Sequence, residues 1–326
     1  MNPGTTLRGP GDVARDVAGL RFQNPVLLAA GTCGFGLELA GTVALERLGG
    51  WVTKSVTREA RWGNPAPRVA EAHDAMVNSV GLANPGAEAV RDRILPRLAR
   101  MVGKPRVLVS VAGHTVDEYL EIVDLLEACP GFHGFELNLS CPNDRRLGGR
   151  PFALDREALD AVVGGIRRRT GRPLFVKLAP NDSDLPGTAR AAERAGADAL
   201  TLVNTMPTAA VKGRGPWPHL GAGSGGMSGP ALRPTGLEAV RKVRGAVDLP
   251  LVGVGGILGP RHVVEYLEAG ASVIQMGTAT FADPRAPQRV VDMLERKPWI
   301  ERVRFLPPTS AGRSAAGVGE PPDGPS

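Results

Sequence analysis

The chain has 326 residues, enough for one large or two ordinary domains around a substantial core. Hydrophobic residues make up 42% and charged residues 22%, ordinary globular usage that excludes a disordered, collagen-like or coiled-coil protein. The net charge of +6 is spread along the chain without the runs of like charge that mark a nucleic-acid tail, so no nucleic-acid partner is expected and the charge points at most to phosphate.

Residues 1–19 read as an N-terminal extension with no apolar segment of the kind a secretory signal carries. From 20 to 306 apolar runs bounded by Gly or Pro alternate with amphipathic segments. In chain order the spacing predicts strand 26–30, helix 37–48, strand 51–55, helix 87–101, strand 107–111, helix 116–128, strand 134–139 and helix 156–169. The second half continues with strand 174–178, helix 185–195, strand 199–203, helix 237–246, strand 251–254, helix 261–269, strand 273–276 and helix 288–295. Eight strands, each followed by a helix, predict an α/β fold of the (β/α)8 TIM-barrel type in a single domain over 20–306. The Ala-Gly-Ala turns at 195–197 and 269–271 supply glycine for helix C-caps. Segments 58–87 and 206–234 are too long for ordinary connections; both follow strands, so lids, binding loops or inserted hairpins are expected on the catalytic face. Residues 307–326 are Pro/Gly/Ser-rich and read as a disordered tail.

No stretch approaches 18 uninterrupted apolar residues, so no membrane span is expected. Three cysteines cannot build a disulfide framework, which suits free thiols in a cytoplasmic protein. The five histidines show no metal spacing and no Cys-x-x-Cys occurs, so no metal or cluster is expected within the chain.

The active site of such a barrel forms at the carboxyl ends of its strands, and this sequence places unusual polar residues there. Gly255-Gly256 and Gly277-Thr278, after the last two strands, match the barrel phosphate site, where backbone N–H groups converge on an anion. A dinucleotide fingerprint fails, because the sixth position counted from Gly253 is Leu258. Only six of the 39 cations are lysine, and two of these, Lys54 and Lys177, end strands, where a compact ammonium suits a point contact to an anion. The bland alternative is a snorkelling or ion-paired lysine. Cys141 follows the fourth strand in a polar loop broken by Pro142, a candidate chemical thiol, whereas Cys33 and Cys129 read as small buried hydrophobes. Asn78, Asn138, Asn143 and Asn204 offer amide donors and acceptors suited to a planar heterocycle such as a pyrimidine.

These residues carry a resemblance. From about residue 20 to 284 the chain resembles class 1 dihydroorotate dehydrogenases, through Gly31-Thr32-Cys33-Gly34-Phe35-Gly36, Thr53-Lys54-Ser55-Val56-Thr57, Asn78-Ser79-Val80-Gly81-Leu82-Ala83-Asn84-Pro85-Gly86, Asn138-Leu139-Ser140-Cys141-Pro142-Asn143, Val176-Lys177-Leu178, Asn204-Thr205, Gly225-Gly226-Met227-Ser228-Gly229-Pro230, Gly255-Gly256-Ile257 and Gly277-Thr278. The resemblance implies oxidation of (S)-dihydroorotate to orotate on FMN in pyrimidine synthesis, hydride leaving C6 for flavin N5 while Cys141 takes the C5 proton. It implies an FMN pocket of Ala30, Gly31, Lys54, Ser55, Ser110, Asn138, Lys177, Val203, Gly229, Gly255, Gly256, Gly277 and Thr278, with the phosphate at the last four. It places dihydroorotate on Lys54, Asn78, Ser79, Val80, Gly81, Leu82, Asn138, Asn143, Asn204 and Thr205, with Lys54 opposing the carboxylate. Cys141 stands where class 2 enzymes carry Ser; Gly63-Asn64-Pro65, residues 81–86 and Gly148-Gly149 look like subclass 1B, the catalytic subunit of an NAD-linked complex. That likeness implies a homodimer docking reductase subunits that carry FAD and an iron–sulfur cluster, a heterotetramer. The alternatives are a fumarate-linked 1A enzyme and a related dihydropyrimidine oxidoreductase. The chain departs from the family at Ala30, where Ser is common, at Ser110, where Asn is common, and at Met206-Pro207-Thr208.

Overall fold

Strands buried on both faces need near-continuous Val, Leu and Ile, and these runs fold as such strands under a shell of helices. The computed structural model describes residues 13–101, 103–139, 151–209 and 219–296. A hairpin of β1 (Arg15–Val17) and β2 (Leu20–Phe22) comes first. The barrel strands are β3 (Val26–Leu28), β4 (Gly50–Val52), then, after the β5 (Val69–Ala72) and β6 (Ala75–Asn78) hairpin, β7 (Arg106–Val111), β8 (Gly134–Asn138), β9 (Leu174–Leu178) and β10 (Ala199–Leu202). A third hairpin, β11 (Met206–Ala209) and β12 (Ser224–Ser228), precedes β13 (Leu251–Val254) and β14 (Val273–Met276). The eight barrel strands are parallel and close in the order β10-β13-β14-β3-β4-β7-β8-β9, the expected (β/α)8 barrel.

Period-two alternation divides the core. Val26, Leu28, Val107, Val109, Leu174 and Val176 face the helices, while Leu27, Val52, Leu108, Phe175, Val252 and Val273 fill the barrel. Val17 and Phe22 of the first hairpin join that inner cluster. The first hairpin is thus packed against the barrel interior.

The helices are α1 (Ala87–Ala89), α2 (Leu95–Met101), α3 (Val116–Leu126), α4 (Arg156–Arg167), α5 (Leu185–Ala195), α6 (Arg233–Arg244), α7 (Pro260–Glu268), α8 (Ala279–Ala282) and α9 (Ala286–Arg296). Helix α8 has no counterpart in the sequence pattern, and three of the predicted helices differ from it. No α-helix forms over 37–48: Gly41 takes φ +83°, and only the 3-10 turns Leu37–Leu39 and Leu45–Arg47 remain. Between α1 and α2 a π-helical turn, Val90–Ile94, widens the helix just ahead of Pro96, which has no N–H to offer and whose ring crowds the preceding turn. Helix α6 starts at Arg233, not Leu237, since Pro234 fits a first helical turn. The Ala-Gly-Ala reading holds at Gly196, the left-handed C-cap of α5 with φ +104°.

The two long segments are inserted hairpins that merge into a four-stranded antiparallel sheet, β11-β12-β6-β5. Gly226 pairs with Asn78 and Ser228 with Met76. A Cβ at Gly225 would lie 2.3 Å from the Asn78 carbonyl oxygen, so this approach of backbones requires glycine.

Candidate active site

A cavity of about 320 Å³ opens at the carboxyl ends of the barrel strands, with the inserted sheet forming one wall. Three groups of side chains build it.

The first is a hydrogen-bonded chain across strands β10, β8 and β4. The Thr205 N–H donates to Asn204 Oδ1 (2.8 Å), Asn204 Nδ2 donates to Asn138 Oδ1 (3.0 Å), and Asn138 Nδ2 donates to Ser55 Oγ (3.2 Å). Ser55 Oγ lies 2.8 Å from Ser110 Oγ. A backbone N–H can only donate, so it fixes the Asn204 amide, which fixes Asn138 in turn; Ser55 accepts from Asn138, and either hydroxyl of the Ser55–Ser110 pair can donate to the other. The Tyr119 hydroxyl of α3 holds the Asn138 carbonyl at 2.8 Å. Ser110 is fully buried behind Ser55 and does not line the cavity.

The second group is cationic. Lys54, after β4, and Lys177, on β9, are the only charged side chains among the described residues lining the cavity, which include no carboxylate. Lys177 Nζ stands 3.6 Å from Glu136 Oε1 on the neighbouring strand β8.

The third is the glycine end. Gly229, Gly255, Gly256, Gly277 and Thr278 line it together with Ser228. Gly256 has φ +62° and a Cβ there would meet the Arg233 Cβ at 2.6 Å, so the turn requires glycine. The Tyr266 hydroxyl of α7 supports it from below, donating to the Gly255 carbonyl (2.8 Å), and burial raises the Tyr266 pKa. Thr278 Oγ1 donates to Ser228 Oγ at 2.8 Å, tying the loop after β14 to the inserted sheet.

The sheet wall carries Asn78, Val80, Gly81 and Leu82. Leu82 has φ +56°, a left-handed conformation uncommon for a branched side chain. Asn84 holds this segment: its Oδ1 accepts the N–H groups of Thr57 (3.2 Å) and Gly86 (2.9 Å), and its Nδ2 donates to Thr57 Oγ1 and the Leu82 carbonyl (both 2.7 Å). Ser79 points behind the wall, taking a 2.8 Å hydrogen bond from Asn64 Nδ2. Leu258 and the exposed Phe281 form an apolar part of the rim.

Ala30, Gly31 and Val203 also line the cavity, so the described residues marked out by the sequence converge on it, Ser79 and Ser110 standing one layer behind. Cys141 and Asn143 lie outside the described residues. Cys33 is buried, its thiol pushed up to about 12 first by desolvation and then by Glu38, which leaves it protonated and inert. Ser228 and Tyr266 were not assigned from sequence, although Ser228 stands inside the Gly-Gly-Met-Ser-Gly-Pro motif. Among the described residues no group of three or more His, Cys, Asp or Glu could hold a metal, and no helix is long and apolar enough to cross a membrane.

A closed (β/α)8 barrel with lysines and glycine turns around a cavity at the carboxyl ends of its strands has the architecture of a barrel enzyme. The chain belongs to the dihydroorotate dehydrogenase family, a flavin-dependent family whose model matches residues 13–297. It is 45% identical to a dihydroorotate dehydrogenase B (NAD(+)), catalytic subunit, from Desulforudis audaxviator, over 86% of this chain and 90% of that relative. The same name is carried by a Pelobacter propionicus protein, 42% identical over 89% of this chain and 94% of the relative. A Solibacter usitatus protein provisionally named dihydroorotate dehydrogenase A (fumarate) is 45% identical, again over 89% and 94%.

Proposed function

We propose that the chain oxidises (S)-dihydroorotate to orotate with FMN bound in this cavity, as the catalytic subunit of an NAD-linked enzyme in the cytoplasm. The observation that carries the reading is the charge of the wall: among the described lining residues, two lysines, no carboxylate, and glycine turns with hydroxyls.

The donor set fits FMN. Gly229, Gly255, Gly256, Gly277 and Thr278, with Ser228, would hold the phosphate; Ala30, Gly31, Lys54, Ser55, Asn138, Lys177 and Val203 would surround the ring, and Ser110 would act through Ser55. FMN, when bound, supplies the acceptor for the two electrons of the oxidation. Dihydroorotate would rest on Lys54, Asn78, Val80, Gly81, Leu82, Asn138, Asn143, Asn204 and Thr205, with Ser79 supporting the wall. Lys54 opposes its carboxylate, and the fixed asparagine amides orient its planar C=O and N–H groups. Cys141 takes the C5 proton. A thiol near its ordinary pKa of about 8.5 is mostly protonated at neutral pH, so either the site lowers that value or turnover rises with pH.

The relatives from Desulforudis and Pelobacter support the NAD-linked form and, through the word "subunit", a separate partner, for which we propose a reductase carrying FAD and an iron–sulfur cluster on a homodimer of this chain. The Solibacter relative favours the second reading, a fumarate-linked enzyme. The test is anaerobic reduction of the purified yellow protein by dihydroorotate, followed by stopped-flow mixing with NAD or fumarate. Release of one FMN per chain, bleaching by dihydroorotate but not dihydrouracil, and slow reoxidation by either acceptor alone are expected. Rapid reoxidation by fumarate would establish the second reading, and failure of dihydroorotate to bleach the flavin would overturn both.

A further inference from the structure

Inside the barrel, beside the cavity, three fully buried polar side chains meet: Glu136 of β8, Thr201 of β10 and Gln275 of β14. Glu136 Oε2 accepts hydrogen bonds from Thr201 Oγ1 (2.8 Å) and Gln275 Nε2 (2.7 Å). Its Oε1 takes no hydrogen bond and lies 3.6 Å from Lys177 Nζ. A buried carboxylate is costly unless paired and hydrogen-bonded, and an apolar group of similar volume often serves stability as well or better. The inner cluster is filled that way, by Leu27, Val52, Phe175 and Val252. Stability alone therefore gives no reason for an acid here.

Two donors on one carboxylate oxygen leave the other oxygen to face Lys177, and they come from different strands, Gln275 standing on β14 and Thr201 on β10, neither of them a neighbour of β8. The carboxylate cannot turn without breaking a bond to one of them. Lysine has a flexible stem and no preferred fork geometry, so an ammonium lining a cavity needs such a fixed partner to hold one place. We propose that Glu136, aimed by Thr201 and Gln275, is a positioning residue for Lys177: it fixes the ammonium at the cavity wall and offsets part of its charge, and so sets the electrostatic potential the bound flavin meets. This rests on the FMN reading above.

The test is a double-mutant cycle on the flavin-loaded protein, with the flavin midpoint potential as readout. Glu136→Gln keeps the volume and an acceptor for Thr201 but uncovers the Lys177 charge, so a more positive potential is expected. A tenfold change in the ratio of FMN affinities, oxidised to reduced, would appear as about 30 mV for two electrons. Lys177→Gln is expected to shift the potential the other way, and Glu136→Gln is expected to have little further effect once Lys177 is gone. Thr201→Val, which removes one aiming donor, serves if Glu136→Gln does not fold, with a smaller shift that also depends on Lys177. A second cycle on the flavin-free protein reads Tm: Lys177→Gln strands the carboxylate and lowers it, and adding Glu136→Gln recovers most of the loss. An unchanged potential in Glu136→Gln, or additive shifts in the cycles, would overturn the proposal and leave Glu136 a structural filler. Absence of bound flavin in the unsubstituted protein would instead sink the functional reading, while the Tm cycle still decides whether the two residues are coupled.

Discussion

Asn138 is held at both backbone and side chain: Tyr119 donates to its backbone carbonyl, Asn204 donates to its side-chain oxygen, and Ser55 accepts from its side-chain nitrogen. A ligand reaching this side chain meets a donor whose direction was set by folding, so little ordering entropy is left to lose on binding. The thiol we propose as proton acceptor, Cys141, is a different kind of residue, since in that role it would meet substrate and not the glycine end. Cys141→Ala is therefore expected to retain FMN with unchanged visible absorbance while turnover falls roughly 10²- to 10⁴-fold, the range for loss of a general base. Steady-state assay at neutral pH checks this, and a loss under threefold would remove Cys141 from the role. At this scale the sequence revealed residues whose chemistry is visible alone: lysine at a strand end in an arginine-rich chain, or paired glycines after consecutive strands. It did not reveal Tyr266 or Glu136, because each acts on a group from another stretch of chain. Glu136 left one faint mark, standing two positions before Asn138 on the same inward face.

At the scale of elements, the barrel strands were legible because both faces are buried and the apolar runs are short and bounded. The helix over 37–48 was misread because its apolar spacing is right while Gly41 adopts a conformation that no helix contains. The inserted sheet could be located as two long segments, but their pairing joins residue 78 to residue 226 and no local signal encodes that. Its base is stapled by Asn84, whose side chain makes four hydrogen bonds within the 57–86 segment. Asn84→Ala leaves the N–H groups of Thr57 and Gly86 without their acceptor, at an expected cost of about 2–4 kcal/mol. Denaturant unfolding should show a lower midpoint at unchanged slope, and KM for dihydroorotate should rise more than kcat falls, since the wall at 78–82 loses its anchor. A KM within error of the unsubstituted enzyme would show that Asn84 serves stability only.

Across the whole molecule two histidines give the fold an acid limit. His133, half-buried, has its pKa lowered by desolvation and then by Arg106; His262 is lowered by desolvation and then by Arg233. Each titrates lower in the folded than in the unfolded chain, where the value is about 6.5, so below that pH the unfolded state binds more protons. Stability is expected to fall as pH drops from about 6.5 toward the depressed native values and to be flat above. Asp184, lowered by the Gly187 N–H and by Arg156, adds its own loss only in the more acid carboxylate range. Tm measured between about pH 7.5 and 5.5 checks this, and His133→Gln with His262→Gln should flatten the slope.

The pairing of β14 with β3 joins Ile274 to Val26, so the ring of strands is completed by nearly the last barrel residues to leave the ribosome. The glycine turns at 229, 255–256 and 277 all belong to the closing third of the chain, whereas Lys54, Asn138 and Lys177 are made earlier. On the proposed reading, the wall that would hold the flavin ring is therefore synthesised well before the turns that would anchor its phosphate. A nascent chain halted short of β14 should expose an open row of strand N–H and C=O groups and retain no FMN, so cofactor capture marks completion of the barrel.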